Sequence, residues 1–99
     1  MEYVEVAKYK LNPGFTDAQL IAAEEEVRAG MIKDMPGYVG RELFKNEDDE
    51  WCVILRFDSK EHMDALLASL KKERHPSFHN YGSMIDVATV RMEVFEKRI

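Results

Sequence analysis

Residues 51–70 read WCVILRFDSKEHMDALLASL, and the hydrophobic period of the chain changes inside this stretch. The first seven residues are almost continuously apolar, which predicts a central β-strand with both faces covered. Asp58 and Ser59 then suit the N-terminal cap of a helix over residues 59–74. Apolar side chains recur at helical spacing beyond the cap, at Met63, Leu66, Leu67 and Leu70. The stretch therefore predicts a buried strand that leads directly into an amphipathic helix.

The same two patterns alternate on either side of this stretch. Strand-like runs occupy residues 4–11, 38–45 and 85–95, and another amphipathic stretch occupies residues 16–35. The order strand, helix, strand, strand, helix, strand is the ferredoxin-like βαββαβ plan, an α+β fold with an antiparallel sheet. We therefore predict a single domain over residues 1–99. Because this plan hosts many unrelated functions, the fold alone assigns no chemistry.

The helix boundaries carry their own signals. Thr16 suits an N-cap, and Gln19 three residues later completes a capping box. The apolar stripe of this helix is Leu20, Ala23, Val27 and Met31. The acidic run at residues 24–26 is interpreted as a solvent-exposed shoulder beside the stripe. Pro76 disfavours continuation of the second helix and predicts a loop or a single turn over residues 75–81.

Composition and charge exclude several classes of protein. The chain has 14 basic and 19 acidic residues and no long block of Lys and Arg, so no nucleic-acid partner is predicted. Cys52 is the only cysteine, which excludes an internal disulfide and favours a reducing, cytoplasmic location. The first residues lack the pattern of a signal peptide. No apolar run approaches the roughly 20 residues of a membrane span, so no membrane partner is predicted.

The last strand-like run is unusually long. Residues 84–97 exceed any strand with which they could pair inside the chain. The usual order of this plan places the run beside strand one, at a sheet edge, where an overhang would leave backbone groups unpaired. A second copy of the chain is the expected cover. Arg91 and Glu93 share one face of the strand and could pair across such an interface.

Two short motifs resemble those of a known family. MPGYVG at residues 35–40 and LRFDSKE at residues 55–61, together with the order of elements, resemble the antibiotic biosynthesis monooxygenase-like family of the dimeric α+β barrel superfamily. The resemblance implies a homodimer whose two sheets face each other as a barrel, with the helices outside. It also implies a small-molecule pocket between helices and sheet. The best-known members oxidise polycyclic phenols or quinols with dioxygen and no bound cofactor.

The sequence departs from the family pattern at several positions. Phe57 stands where many members have Trp, and a phenyl ring cannot donate a hydrogen bond. Haem-degrading members use an Asn on strand one, a Trp in helix two and a His at the end of that helix. Only His75 matches one of these positions, which disfavours haem binding. The chain also lacks a glycine-rich phosphate loop, and we predict that it needs no cofactor.

The candidate catalytic residues are His75, His79 and Arg56. The two histidines are four residues apart, a spacing that suits metal binding on a helix, but Pro76 lies between them and no further ligand follows nearby. No metal site is therefore predicted. An imidazole can instead take a phenolic proton near neutral pH. Arg56 could hold an anionic substrate oxygen, although a structural ion pair is the stronger interpretation for a charge within a strand.

The candidate substrate-binding residues are aromatic. Phe57 lies at the junction of strand three with helix two, and Phe78 and Tyr81 lie in the segment that follows this helix. Loops at the mouth of a rigid scaffold often carry function, so the hypothesis is that residues 75–81 gate the pocket. The predicted function is a cofactor-independent monooxygenase acting on a small phenolic or quinol-type substrate. The alternative is a homodimer of the same fold that binds a small aromatic or hydrophobic ligand without catalysis.

Overall fold

The computed structural model describes residues 1–72 and 75–99. The strands are β1 (Tyr3–Leu11), β2 (Tyr38–Lys45), β3 (Trp51–Phe57) and β4 (Ile85–Glu96), and the helices are α1 (Asp17–Val27), α2 (Lys60–Lys72) and α3 (Pro76–Ser83). Among these residues, no helix is long and apolar enough to cross a membrane.

The strands form one antiparallel sheet in the order β2-β3-β1-β4. This order confirms the predicted ferredoxin-like plan, with β3 inside the sheet and β4 beside β1 at an edge. The side chains of β3 alternate strictly: Trp51, Val53, Leu55 and Phe57 are buried, whereas Cys52, Ile54 and Arg56 are partly exposed. The prediction that both faces of β3 are covered therefore fails in the single chain, because one face carries no helix.

The core lies between the helices and one face of the sheet. It joins residues of β1 and β3 to one side of each helix, namely Tyr9, Leu55, Phe57, Leu20, Ala23, Val27, Met63, Leu66 and Tyr81. The opposite face of the sheet, here called the bare face, presents Val4 and Val6 of β1, Phe44 of β2, Ile54 of β3 and Phe95 of β4. Each of these apolar side chains is partly or largely exposed.

The first helix begins as predicted and ends differently. The Thr16 hydroxyl accepts from the Gln19 amide at 3.2 Å, and the Gln19 side chain accepts from the Thr16 amide at 2.8 Å, which confirms the capping box. The α-helix stops at Val27 and continues as a π-helical turn, Arg28–Ile32. A turn of this kind widens the backbone ring by one residue relative to an α-helix.

The segment predicted as a loop or single turn is a helix. Residues 75–81 fall within or beside α3, and His75 is its N-cap, with its Nδ1 accepting from the Ser77 amide at 3.1 Å. The prediction was wrong because Pro76 occupies the first helical position. Proline is favoured there, since its fixed φ suits a helix and its missing N–H would have no partner in that turn.

The expected overhang of the last strand is also absent. β4 pairs with β1 from Leu11↔Ile85 to Tyr3↔Glu96, and its extra length is taken up by a shift in register between Lys8↔Arg91 and Lys10↔Asp86. Thr89 stabilises this irregularity, because its hydroxyl accepts from the Lys10 amide at 2.9 Å and donates to the Asp86 carbonyl at 2.7 Å. The surplus residues therefore bulge out of the sheet.

The junction between β2 and α2 depends on Gly37. Gly37 has φ of 80°, and a Cβ there would collide with the side chains of Asp58 and His62, which hydrogen-bond to each other at 2.6 Å. Gly14 has φ of 94°, but a Cβ there meets nothing within 4 Å. At both positions a residue with a Cβ would therefore be strained by the backbone conformation, but only at residue 37 would the Cβ also collide with other side chains.

We predict that Gly37→Ala lowers the free energy of unfolding more than Gly14→Ala. The backbone conformation alone should cost about 1–2 kcal/mol at each position, and the collision adds to this cost at residue 37. Urea unfolding followed by Trp51 fluorescence measures both losses. In a protein that also carries His62→Ala, the losses of unfolding free energy caused by the two glycine substitutions should be more similar. Equal losses in the two single variants would contradict the steric explanation.

Candidate functional site

A cavity of about 540 Å³ lies between the helices and the helix-covered face of the sheet. Its volume falls in the range of small-molecule sites, about 300–1,000 Å³. The wall is mostly apolar and includes Leu55 of β3, Leu66 of α2 and Phe78 of α3. On the β4 side the lining residues Val87 and Met92 remain largely exposed, so the cavity is most open over this edge strand.

Two charged residues of the sheet line this cavity. Glu5 of β1 and Arg41 of β2 both pair with Leu55, so the three residues form one cross-strand row on the helix-covered face. Neighbouring strands are about 4.8 Å apart, which puts the Glu5 and Arg41 backbones about 10 Å from each other. Glu5 is 8% exposed and Arg41 is 6% exposed. The sheet therefore directs one acidic and one basic group into the same apolar space.

Glu5 is a buried carboxyl group without a direct partner. Within the described part of the chain it makes no side-chain hydrogen bond and no ion pair. Burial raises the pKa of Glu5, and the charge of Arg41 acts in the opposite direction. Desolvation outweighs this attraction, because the carboxylate has lost most of its contact with bulk water without gaining a side-chain hydrogen bond in return.

Arg41 is held from behind by Glu24. The Arg41 Nε lies 2.9 Å from both carboxylate oxygens of Glu24, which also accepts from the Nε of Arg28 at 3.1 Å. Glu24 is 2% exposed, so its interpretation as part of a solvent-exposed shoulder is wrong. It lies one helical turn after Leu20 and next to Ala23, and therefore falls on the buried stripe of α1. Glu25 and Glu26 are exposed, as predicted.

The outer end of the Arg41 guanidinium is open to the cavity. Its centre lies 5.3 Å from the centroid of the Tyr81 ring, and the Tyr81 hydroxyl is hydrogen-bonded to the Tyr9 hydroxyl. In the described residues, no buried polar side-chain atom lacks a hydrogen-bond partner. The two Nη groups of Arg41 make no side-chain hydrogen bond within the same residues, so they must be accessible. The cavity that Arg41 lines is the space available to them.

The sequence matches the family model for antibiotic biosynthesis monooxygenases over residues 2–81. The match spans β1, β2, β3, α1, α2 and most of α3. The chain belongs to the antibiotic biosynthesis monooxygenase family. No curated protein matches the sequence significantly.

Solved structures with the same fold include proteins from distant organisms. SnoaB from Streptomyces nogalater, described as a cofactor-independent oxygenase, is 15% identical, with a TM-score of 0.74 over 99% of this chain and 94% of that chain. Rv0793 from Mycobacterium tuberculosis is 19% identical, with a TM-score of 0.66 over 100% and 97%. A conserved protein from Methanosarcina mazei Go1 is 11% identical, with a TM-score of 0.74 over 99% and 94%. At these identities the likeness shows the fold.

The cavity is lined by two of the three residues predicted to bind substrate. Phe78 and Tyr81 of α3 both line it, and their ring centroids are 6.3 Å apart. Phe57 does not line it. The Phe57 ring is 0% exposed and packs edge-on against Tyr38 at a centroid distance of 6.4 Å. The structure therefore places Phe57 in the core beneath the start of α2.

The three residues predicted to be catalytic lie outside the cavity lining. His75 is exposed and its ring is engaged in capping α3, and His79 is exposed on the same helix. Arg56 lies on the bare face, where its Nε donates to Glu42 at 2.9 Å. This hydrogen bond raises the pKa of Arg56. In the described residues, no group of three or more His, Cys, Asp or Glu side chains is arranged to hold a metal ion.

Sequence reasoning missed the polar groups that do line the cavity. Glu5 has the same strand parity as the inward-facing residues Ala7 and Tyr9, and this parity was the available signal for its burial. Arg41 gave a weaker signal, because its direction depends on the register of β2 against β3. The burial of Glu24 could be expected only after Arg41 had been placed opposite α1.

We predict that Glu24→Ala destabilises the fold far more than Glu25→Ala. The first change leaves the buried Arg41 guanidinium without its counter-ion, which typically costs about 3–5 kcal/mol. The second alters an exposed position and should change stability by less than about 0.5 kcal/mol. Chemical denaturation at neutral pH measures the two losses. Similar losses for both variants would show that the Glu24–Arg41 pair does not hold α1 to the sheet.

Proposed function

We propose that the protein is a monooxygenase that oxidises a small phenolic or quinol-type aromatic molecule with dioxygen and without a bound cofactor. The observation that carries the proposal is the cavity, which combines apolar walls with two buried charged residues, Glu5 and Arg41. Membership of the monooxygenase family and the likeness to SnoaB, itself a cofactor-independent oxygenase, support the same reading.

The chemistry needs an electron-rich substrate anion and a dry site. A phenolate can pass one electron to dioxygen, and the resulting radical and superoxide combine at the ring carbon opposite the hydroxyl. This forms a C–O bond, and collapse of the peroxide then breaks the O–O and C–H bonds. One oxygen atom stays in the product as a carbonyl, and the other leaves as water with two hydrogens from the substrate. The protein would orient the ring, exclude water and stabilise the negative charge.

The cavity fits an aromatic ligand of this kind. Phe78 and Tyr81 provide ring surfaces on the α3 side, and Leu55 and Leu66 provide aliphatic surfaces opposite and beside them. Aromatic rings favour offset or edge-on contacts with one another, so a flat ligand would be held in a defined orientation. α3 would then cover the ligand. We therefore also propose that residues 75–81, which belong to this helix and its N-cap, gate the cavity.

His75, His79 and Arg56 remain an alternative set of catalytic residues. For that set to act, the two imidazoles would have to move into the cavity, because neither lines it. Arg56 would have to act through the sheet, because it lies on the opposite face. Groups that already line the cavity need no such rearrangement. Histidine variants therefore provide a direct comparison between the two sets.

A homodimer is the second part of the proposal. The bare face exposes apolar side chains at its centre, and it has Arg91 and Glu93 of β4 at one side. A second copy of the same face would bury these apolar groups, as the resemblance to dimeric barrels implies. Arg91 already donates to Glu50 of its own chain at 2.5 Å, so an apolar position is the cleaner probe of the interface.

We predict that the purified protein accelerates oxygen consumption by anthrone, whose enol form is a phenol, above the rate without protein. Isotopically labelled dioxygen should place one labelled oxygen atom in the anthraquinone product, and a chelator should not slow the reaction. An oxygen electrode and mass spectrometry provide the two measurements. A panel of quinols extends the test to other substrates.

Saturable binding of these compounds without oxygen consumption would contradict the oxygenase and support the non-catalytic ligand-binding homodimer. Unchanged turnover in His75→Ala and His79→Ala would remove the histidines from the acid–base step. Lost turnover in either variant, with an unchanged melting temperature, would instead assign that histidine to the acid–base step.

We predict that the protein sediments as a dimer at micromolar concentration, and that Val6→Glu shifts it to monomer. Val6 lies on β1 in the middle of the bare face, where a buried carboxylate would oppose association. Ile21→Glu is the matched control, because Ile21 is exposed on α1. Sedimentation velocity distinguishes the species. A monomeric wild-type protein, or dissociation by both variants alike, would contradict the proposed interface.

A further inference from the structure

We propose that Glu5 and Arg41 act as a catalytic pair on a phenolic hydroxyl group in the cavity. In this assignment Glu5 takes the hydroxyl proton, Arg41 binds the oxygen that becomes negative, and Glu24 is a positioning residue that holds Arg41. The inference rests on the proposed oxygenase function and names the residues and the ligand group that would carry it.

The first argument is that Glu5 makes no side-chain hydrogen bond or ion pair that would hold the fold together among the described residues. Burying an unpaired carboxyl group costs free energy, and an apolar side chain would fill the same position without that cost. Arg41 has a closer counter-ion in Glu24, which contacts its Nε with both carboxylate oxygens and is shared with Arg28, so Glu5 interacts with Arg41 only through its charge at longer range. Glu5 is therefore a surplus acidic group, directed into a cavity of ligand size. Such groups are characteristic of functional sites.

The second argument is the orientation of Arg41. Glu24 occupies only the Nε edge of the guanidinium, and the Tyr81 ring lies 5.3 Å away, so two directions of movement are restricted. The accessible Nη groups then present fixed N–H donors to the cavity. Because arginine stays protonated at all relevant pH values, these donors stabilise an oxyanion without any change in their own charge.

The third argument is the spacing of the two groups. Glu5 and Arg41 form no direct ion pair, although they share a cross-strand row and line the same space. In the proposed arrangement, a ligand hydroxyl placed between them donates to the Glu5 carboxylate, and its oxygen accepts from Arg41. A ligand hydroxyl would thus complete an interaction that the two side chains do not make with each other.

Proton and electron transfers balance in this arrangement. The hydroxyl proton passes to Glu5, and the phenolate on Arg41 gives its electron to dioxygen, which is reduced as the ring is oxidised. After the C–O bond has formed, collapse of the peroxide breaks the O–O bond and releases the ring C–H hydrogen. The proton on Glu5 and this hydrogen leave with the second oxygen atom as water. Glu5 is then ionised again.

The groups that face Glu5 determine how the reaction should depend on pH. Arg41 comes from β2, Lys71 from α2, Tyr81 from α3 and Tyr9 from the same strand, whereas the lining residues of β4 are apolar. Burial raises the pKa of Glu5 above that of an exposed carboxyl group. Glu5 must be ionised to accept a proton, so kcat/KM should fall as the pH drops through this raised pKa.

The first test is Glu5→Gln, which keeps the shape of the side chain and removes the base. Oxygen consumption with anthrone should fall by about 10²–10⁴-fold, the usual contribution of a general base. KM should change little, and the acid limb of the pH profile should disappear. Glu25→Gln makes the same chemical change on the exposed side of α1 and should behave as wild type. Wild-type kcat with the acid limb intact in Glu5→Gln would overturn the proposal.

The melting temperature gives a second readout for the same variant. An acid whose pKa is raised by folding ionises first in the unfolded chain, so its charge destabilises the folded state above the ordinary pKa of glutamate. Glu5→Gln should therefore melt at the same temperature as wild type at acid pH and higher at neutral pH. A lower melting temperature at neutral pH would mean that Glu5 stabilises the fold, and would overturn its assignment as a surplus group.

Ligand binding tests Arg41 independently of turnover. β-Naphthol and its methyl ether share one ring system, but the ether carries a methyl group in place of the hydroxyl proton and can neither donate a hydrogen bond nor ionise. The absorption of naphthol changes when it ionises. Wild type should bind naphthol more tightly than the ether and increase its ionised fraction. Both effects should disappear in the double variant Glu24→Gln with Arg41→Gln, which removes two buried charges together and so avoids an unpaired one. Equal binding of the two ligands by wild type would overturn the pair.

The outcomes separate this inference from the proposed function. Oxygen consumption that survives in Glu5→Gln and in the double variant would reject the catalytic pair and leave the oxygenase standing. A preference for naphthol that disappears in the double variant, in a protein that consumes no oxygen with any substrate of the panel, would reject the oxygenase and with it the catalytic role of the pair.

Discussion

The ion pair between Glu24 and Arg41 is the interaction on which the rest of the site depends. It joins α1 to β2 through the core, and both side chains are almost fully buried. Removing two charges from water is costly, and their attraction offsets this cost only with good geometry and further hydrogen bonds. Both carboxylate oxygens of Glu24 lie 2.9 Å from one nitrogen, and Arg28 adds a third contact. The pair therefore fixes the direction in which the free end of Arg41 points.

The cavity beside Arg41 follows from the way three helices cover four strands. The helices pack on the part of the sheet formed by β1 and β3, and β4 lies at the edge with largely exposed apolar residues. The cavity lies where the helices stop covering the sheet, beside β4. Glu5 lies at the floor of this space, and its raised pKa means that its ionised form lowers the stability of the fold at neutral pH. Proteins keep such costs mainly where function requires them.

Sequence patterns were sufficient for the order of elements and insufficient for several of their ends. Hydrophobic period and the Thr16–Gln19 capping box are local properties, and both predictions were confirmed. Pro76 was misread because the same residue ends one helix and begins another, and only the chain beyond it decides which. The surplus length of β4 was correctly noticed, but whether it overhangs or bulges depends on Thr89 and Lys10, which meet only in the folded sheet.

The candidate site was harder to predict, because its chemistry depends on burial more than on residue type. Histidines attract attention because an imidazole ordinarily titrates near neutral pH, whereas a carboxyl group becomes more basic than usual only in surroundings that disfavour its ionised form, such as a buried site. Arg41 and Arg56 make the same point. Both are arginines within strands of one hairpin, but Arg41 pairs with Leu55 while Arg56 pairs with Gly40. Because neighbouring residues of a strand face opposite sides, this one-residue difference in register sends Arg41 into the cavity and Arg56 to the bare face. The sequence shows two similar charges, and the sheet register decides which of them lines the cavity.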